Sequence, residues 1–431
     1  MTNPRYGVIV DAFSSGTKLP ARFRNRGFRL IHVESRPDIP DYDRVGFDPG
    51  FYQDCLIFDG DLGKLVARLD MLSPEFVLAG GEYGVTLADQ LADALGLPGN
   101  DPALSQCRRD KFRMARRLEE VGVPFALSFD ARTVAEALAA ARQIGTWPVV
   151  VKPRDGASSE GIHFCHSEAE LRHAFTAEIG KRNEMNVVNT SLLIMEYLAG
   201  QQYTVQSTTL NGHHHVSEIW LDRRHPVAGH GAVYDMERLL PSSGEVQDKV
   251  RDYACRVLDA LGVRKGPGYL EIMMTKRGPI LIEATSRLMG CQDHAAVASV
   301  KGTDALSLCV ACYADPDAYS AATAEPYVLQ RELAIVSTIN RVSGTITDDD
   351  WEGEVRTLPT FRGFLRKPVI GDAVVPTVDL LSNYAVIYLS GDDWPSIERD
   401  YRHLRAMDAR PGGMFRIGMN RPGFTGEDLV Q

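Results

Sequence analysis

Over the first hundred positions, apolar residues fall in turn into short, mainly apolar runs and into stretches spaced three and four apart. Residues 6–10, 29–33 and 76–79 read as strands; residues 62–72 and 86–95 read as amphipathic helices, the second stopped by Gly96 and Pro98. Such alternation predicts a parallel sheet with helices on its faces, and sheets of this kind bind ligands at the carboxyl ends of their strands. From Asp101 the pattern changes. One helix is expected over 103–121, with Cys107, Lys111, Met114, Leu118 and Val121 on one side, and another over 133–144. Strands at 149–152, 192–195 and 203–210 enclose a helix at 167–179. Residues 246–261 have the clearest helical period, with Val246, Val250, Tyr253, Val257, Leu258 and Leu261 on one side and Gly262 as the stop. Two strands follow at 268–275 and 279–284. Beyond 326 the chain turns β-rich (333–339 and 385–389), with a closing helix near 396–407 and a Gly/Pro-rich tail from Arg410.

A chain of 431 residues predicts about three domains of ordinary size. A formal charge of −10 counts against nucleic acid or an anionic membrane as the main partner, since both require a basic face. The N-terminus lacks an apolar signal region, and no apolar stretch approaches the ~20 residues needed to span a bilayer. A reducing cytoplasm is expected from the sparse, odd count of seven cysteines. Cys309 and Cys312 form a C-x-x-C inside an apolar helical stretch and read as core thiols. His213-His214-His215 follows the turn pair Asn211-Gly212 and reads as an exposed hairpin.

The chemistry begins at Val149-Val150-Val151-Lys152-Pro153, followed by Arg154-Asp155-Gly156-Ala157-Ser158-Ser159-Glu160-Gly161. An apolar strand ends on a lysine and a small-residue loop follows. Such a pair can hold a polyphosphate, the lysine as a point charge and the loop through its N–H groups. A loop that only turns the chain is an equally good reading of this segment taken alone. Glu82, in Gly80-Gly81-Glu82-Tyr83-Gly84 at a strand end, reads equally as a substrate contact and as an acid favouring a helix dipole.

Further on, Glu271 and Glu283 lie in the apolar strands Tyr269-Leu270-Glu271-Ile272-Met273-Met274-Thr275 and Pro279-Ile280-Leu281-Ile282-Glu283. Buried carboxylates need partners. With a three-residue loop, Lys276-Arg277-Gly278, the two acids face each other; a two-residue loop would set them on opposite faces. Oxygen-only ligands at this spacing suit Mg²⁺ completed by phosphate oxygens and water; ion pairing to Lys or Arg is the alternative. Arg287, four residues on, carries a fork able to clamp a phosphoryl group or a carboxylate.

The order Lys111, Lys152 with its loop, the connector Glu196–Gln202, Glu271, Glu283 and Arg287 resembles the ATP-grasp superfamily over residues 110–290. Within it the chain looks most like the L-amino acid ligases, or dipeptide synthetases. Leu95-Gly96-Leu97-Pro98-Gly99, Gly266-Pro267-Gly268-Tyr269-Leu270-Glu271 and Ser286-Arg287-Leu288-Met289-Gly290 carry that likeness. The resemblance implies an ATP-grasp fold of mixed α/β and α+β class: an N-terminal parallel α/β domain (1–105), a two-lobed ATP-grasp core (106–315, with a mobile lid lobe at about 146–210) and a β-rich C-terminal domain (316–431) completing the substrate site. It implies that Lys111, Lys152, Ser158, Ser159 and Gly161 contact ATP phosphates and that Glu196, Tyr197 and Leu198 form the adenine hinge. Gln202 would take the ribose where the family usually has an acid. Glu271 and Glu283 would hold Mg²⁺, with Mn²⁺ as a substitute, and Thr285 stands where an asparagine ligand is often found. Arg287 would serve catalysis, and Glu82, Arg287, Met289 and Gly290 the substrates.

The implied reaction is ATP-driven amide formation between two amino acids, or an amino acid and another small acid, through an acyl phosphate. The alternatives are a carboxylase component, a D-alanine–D-alanine-like ligase, and an ATP-binding module without catalysis. Small amino acids are the expected partners, and a homodimer is the default on symmetry alone. His225 and Tyr234 are weaker candidates near the acceptor, and His294 reads as a packing residue.

Overall fold

The computed structural model describes residues 4–156, 160–227, 231–290, 292–379 and 382–418. The described residues form two compact units, one made of those up to 222 together with 239–330, the other of those from 223 to 238 together with those from 331 onward. Ser158, Ser159 and Cys291 lie outside the described residues.

The first unit opens with a parallel sheet of β1 (Arg5–Val10), β2 (Phe28–Glu34), β3 (Asp54–Ile57) and β4 (Phe76–Ala79) in the order β3-β2-β1-β4. Helices α1 (Leu19–Arg24), α2 (Leu62–Asp70) and α3 (Val85–Ala94) accompany it. Val8, Val10, Ile31, Val33 and Val77 pack with α2 and α3, while Ile9, Leu30, Phe76 and Leu78 pack with α1. The strand β3 and helix α1 carry too little apolar periodicity to be seen in the sequence. At the end of β1, Asp11 is fully buried with a φ of 50°. Its Oδ1 accepts from the Ser35 N–H at 2.8 Å, while Oδ2 has no partner among the described residues.

Burial pushes the Asp11 carboxyl up to about 7. The unfolded chain releases this proton near the ordinary aspartate value and the folded chain holds it until about pH 7, so the stabilisation is complete in acid and is lost as pH rises through 7. Asp11→Asn is therefore expected to melt at a higher temperature than the parent protein at pH 8, with less change between pH 4 and 8. Melting curves across that range check this.

Residues 103–121 do not form one helix. A 3-10 helix (Pro102–Arg108) is separated from α4 (Lys111–Glu120) by Arg109 and Asp110. The break has a local cause: the Asp110 carboxylate caps α4, accepting from the N–H groups of Phe112 at 2.9 Å and Arg113 at 3.0 Å. An antiparallel sheet follows, formed by β5 (Ser128–Ala131), β6 (Val149–Pro153), β7 (His163–Cys165) and β8 (Leu192–Glu196) in the order β5-β8-β6-β7. Helices α5 (Val134–Ile144) and α6 (Glu168–Glu178) pack on one face.

The strands β9 (Gly200–Leu210), β10 (His213–Val227, of which 213–222 belong to this unit), β12 (Gly266–Thr275) and β13 (Gly278–Thr285) build a third sheet. The long helix α7 (Glu245–Ala260) covers it through Val250, Tyr253, Val257 and Leu258. Helices α8 (His294–Lys301), α9 (Ala305–Ala314) and α10 (Pro316–Ala322) close the unit; Cys309 and Cys312 of α9 are buried core thiols. His214 sits between Thr209 Oγ1 and Asp259 in the Asn211-Gly212 hairpin.

The second unit is built on β11 (Gly231–Leu239), β14 (Glu332–Ser337), β16 (Phe361–Arg366) and β18 (Val386–Gly391) in the order β11-β14-β18-β16. A small three-stranded sheet of β15 (Gly344–Ile346), β17 (Ala373–Val374) and β19 (Ile417–Gly418) accompanies it, with helices α11 (Asp350–Arg356) and α12 (Trp394–Asp408). Its own core includes Val336, Trp351, Ile387 and Leu404. No single helix among the described residues is long and apolar enough to cross a membrane.

Candidate active site

Strand alternation places the first lysine. Val149 and Val151 pack with α5 and α6, whereas Val150 joins Ala126, Leu193, Met195, Leu198 and Ile280 on the other face. Lys152, two residues on from Val150, lies on that second face and is 3% exposed. Burial, and after it the neighbouring Lys111 ammonium, pushes Lys152 down to about 8 against the pull of Glu283 and Glu271. Lys111 is the first residue of α4, held there by the Asp110 cap. Its Nζ donates to the Gly156 carbonyl at 2.8 Å and pairs with Glu283 Oε2 at 3.1 Å.

The two glutamates meet by a route the sequence pattern does not give. The β12–β13 turn has two residues, since Thr275 pairs with Gly278, and not the expected three. A regular ladder from that turn would set the acids on opposite faces. A register shift between Glu271 and Ile272 prevents this: Ile272 pairs with Leu281, and Glu271 with Glu283. The extra residue lies in β13, where Leu281 and Ala284, three apart, both enter the core under α7. Ile282 and Glu283 are thereby both turned to the outer face, the face of Glu271.

Each carboxylate already has company. Glu271 accepts from the Tyr269 hydroxyl at 2.5 Å and from the Gln202 amide at 3.1 Å, so Gln202, the expected ribose contact, holds an expected metal ligand. Glu196 Oε1 accepts from the Leu127 N–H at 2.9 Å and from Arg277 at 2.7 Å, which fixes the end of β8. Next to it Tyr197 is exposed, its ring edge-on to Phe164, and Leu198 is buried among the apolar residues beside Val150. Gly161 has a φ of 66°. A Cβ there would come within 2.9 Å of Glu178 Oε2 and 3.1 Å of Pro153 Cγ. Gly161→Ala is expected to cost about 1 kcal/mol in backbone strain and to raise KM for ATP several-fold, as initial rates over a range of ATP concentration would show.

Glu82 is 11% exposed in its side chain and has no oxygen to spare. Oε1 accepts from Arg109 and, at 3.1 Å, from Thr285 Oγ1; Oε2 accepts from Arg287 Nε. Burial raises its pKa, but Arg287 and Arg109 outweigh burial and hold the carboxyl at about 2. Thr285 therefore serves Glu82. Arg287 also donates through Nη1 to the Leu288 carbonyl at 2.8 Å, and its guanidinium lies 5.2 Å from the Tyr269 ring centre. Its Nη2 makes no hydrogen bond among the described residues. Met289 is buried, with its N–H donating to Gln206 Oε1 at 2.7 Å, and Gly290 follows it, partly exposed.

The sequence pattern did not single out Arg109. Its other nitrogen pairs with Asp155 at the mouth of the glycine loop. The available signal was the run Arg108-Arg109-Asp110-Lys111, basic residues against an N-cap aspartate. His294 is buried beside Asp304, with burial lowering its pKa, as a packing histidine would be. His225 and Tyr234 belong to the second unit, where the Arg224 guanidinium stacks 3.4 Å from the Tyr234 ring centre.

The donor set suits a hard divalent cation. Glu271 and Glu283 offer oxygen alone, on one face, and no third His, Cys, Asp or Glu joins them among the described residues. A site with two protein carboxylates leaves the remaining positions to phosphate oxygens and water, the usual arrangement for Mg²⁺.

Residues 145–294 match the family model described as the ATP-grasp domain. Dapdiamide A synthase of Enterobacter agglomerans is 31% identical over 299 residues, 68% of this chain and 69% of that one. A D-alanine–D-alanine ligase of Pseudomonas entomophila (strain L48) is 26% identical over 269 residues, 59% of this chain and 81% of that one. Among solved structures, an L-amino acid ligase from Bacillus licheniformis superposes with a TM-score of 0.71 at 17% identity, covering 94% of this chain and 98% of that one. Enzymes of this family use ATP, generally with Mg²⁺. The chain belongs to the ATP-grasp superfamily and is one of its ATP-dependent carbon–nitrogen ligases, the amino-acid ligases that form amide bonds.

Proposed function

We propose that this ligase joins two amino acids, or an amino acid and another small acid, through an acyl phosphate formed over the Glu271–Glu283 pair. The observation that carries this reading is the bulged hairpin: it puts two carboxylates side by side on one face, with the buried cations Lys111 and Lys152 next to them. In the first step a carboxylate oxygen attacks the γ-phosphorus and the bond to the β,γ-bridging oxygen breaks, releasing ADP. In the second an amine nitrogen attacks the acyl carbon, the bond to the phosphate oxygen breaks, and the amine proton is lost.

The protein's work is positioning and charge neutralisation. Lys111 and Lys152 offset charge on the phosphates, and the apolar cluster around Leu198, beside the Glu196–Leu198 connector, receives the adenine. Gln202 orients Glu271, while Gly161 lines the phosphates. Arg287, held by Glu82 and backed by Met289 and Gly290, presents Nη2 to the acyl group. A magnesium ion held by Glu271 and Glu283 would neutralise phosphate oxygens, and Mn²⁺ fits the same donors. Residues 106–315 carry this chemistry, with Glu82 contributed by residues 1–105.

Isotope transfer tests the acyl phosphate. With ¹⁸O in the carboxylate of the donor amino acid, one labelled oxygen is expected in the released inorganic phosphate. Label in AMP, or phosphate released without label while amide is made, would rule the intermediate out.

A further inference from the structure

Arg109 occupies the gap between the 3-10 helix and α4 with a side chain only 11% exposed. One arm of its guanidinium meets Glu82 and the other meets Asp155, with Met185 Sδ 3.7 Å away. Asp155 is held in turn, its carbonyl accepting from Asn183 Nδ2 at 2.7 Å. Glu82 is the carboxylate that orients Arg287. Asp155, Arg109, Glu82 and Arg287 therefore form one chain of alternating charge, from the start of the glycine loop to the arginine beside the acyl site.

The quartet is balanced, two carboxylates against two guanidiniums. If Asp155 were absent, the second arm of Arg109 would lose its anchor, and the guanidinium could turn about its bond to Glu82 Oε1 and carry the carboxylate out of line with Arg287. If Arg109 were absent, Glu82 Oε1 would keep only the Thr285 hydroxyl, and the carboxylate could swing and take Arg287 with it. A planar fork is required because its two arms reach two acids at once; an ammonium is a point charge and does not hold both in one fixed geometry.

From this, and resting on the site reading above, we propose that Arg109 is a positioning residue: braced against Asp155, it fixes Glu82 so that Arg287 is aimed at the reacting group. Misplacement of a charged group by about 1 Å costs roughly 10²-fold in rate, so Arg109→Gln is expected to lower kcat by about that factor with KM for ATP little changed, and Arg109→Lys to recover only part of it.

A double-mutant cycle decides the matter, with phosphate release and amide formation as readouts and melting curves to confirm folding. Arg287→Lys alone should be slow. Adding Arg109→Gln to it should cost little more, because the residue it acts through is already altered. If the two losses multiply, Arg109 does not act through Arg287 and the proposal is overturned while the site reading stands. If Arg287→Lys turns over like the parent protein, the reading of Arg287 itself is wrong, and the proposal falls with it. Should Arg109→Gln fail to fold, Asp155→Asn, whose side chain is 42% exposed, replaces it in the cycle. Its expected loss is smaller: a loss that vanishes in the Arg287→Lys background supports the proposal, and one that multiplies overturns it.

Discussion

Glu283→Gln is expected to lower kcat by roughly 10²–10³-fold while leaving the fold intact, the scale seen when one charge-stabilising group is taken from an active site. The amide keeps the shape of the carboxylate and its place beside Glu271 in the ladder. It loses the charge that balances Lys111 at 3.1 Å and one of the two oxygen donors offered to a cation. Lys111 keeps its bond to the Gly156 carbonyl, so the local structure has a second anchor. Steady-state phosphate release together with a melting curve separates the outcomes: a slow enzyme with a parental melting temperature supports the assignment, and full activity refutes it.

Glu82→Gln should show the largest loss of stability, about 3–5 kcal/mol, because removing one partner of a buried ion pair leaves charge uncompensated. Two guanidiniums depend on this carboxylate, and Arg287 has no other ion-pair partner among the described residues. An isosteric amide retains an oxygen for one of them and turns N–H groups toward the other, a donor facing a donor. Denaturant unfolding of the parent and the variant measures the difference; a change under about 1 kcal/mol, the scale of an exposed pair, would mean that solvent already screens it. The depressed Glu82 pKa sets the sign of the pH effect. The folded value lies below the unfolded one, so the stabilisation is present at neutral pH and disappears as pH falls toward 2.

These two residues also show how much the sequence disclosed. The parallel sheet was readable because strands buried on both faces are mainly apolar over a short length: the expected 76–79 coincides with β4, and 29–33, apolar but for Arg29 and His32, lies inside β2. The helix expected over 246–261 corresponds to α7, since a strong 3.6-residue period has no competing reading. The paired acids were also visible, but for an incomplete reason. Loop length alone argues against their meeting, and the bulge that restores the pairing arises from the core, where Leu281 and Ala284 both find room under α7. That is a property of packing, which a strand pattern of period two does not carry.

The chain of charge through Arg109 was hidden for a related reason. An expected helix over 103–121 made Arg109 one more exposed basic residue. The cap by Asp110 breaks that helix and turns the guanidinium inward, toward two acids 27 and 46 residues away in sequence. Glu82 stood out for its place at a strand end, yet its partners lie on other segments and only the fold joins them. The long strand β10 was not legible because its sequence, with Asp222, Arg223 and Arg224, is too polar to read as a core strand.

Incubation of the protein with ATP, Mg²⁺ and pairs of L-amino acids, with phosphate and product mass followed together, tests the central claim most directly. The expected result is one inorganic phosphate released for each product whose mass is the sum of the two amino acids less one water, with no requirement for bicarbonate. Turnover that depends on bicarbonate, or phosphate released from ATP without any amide product across the full set of pairs, would contradict it.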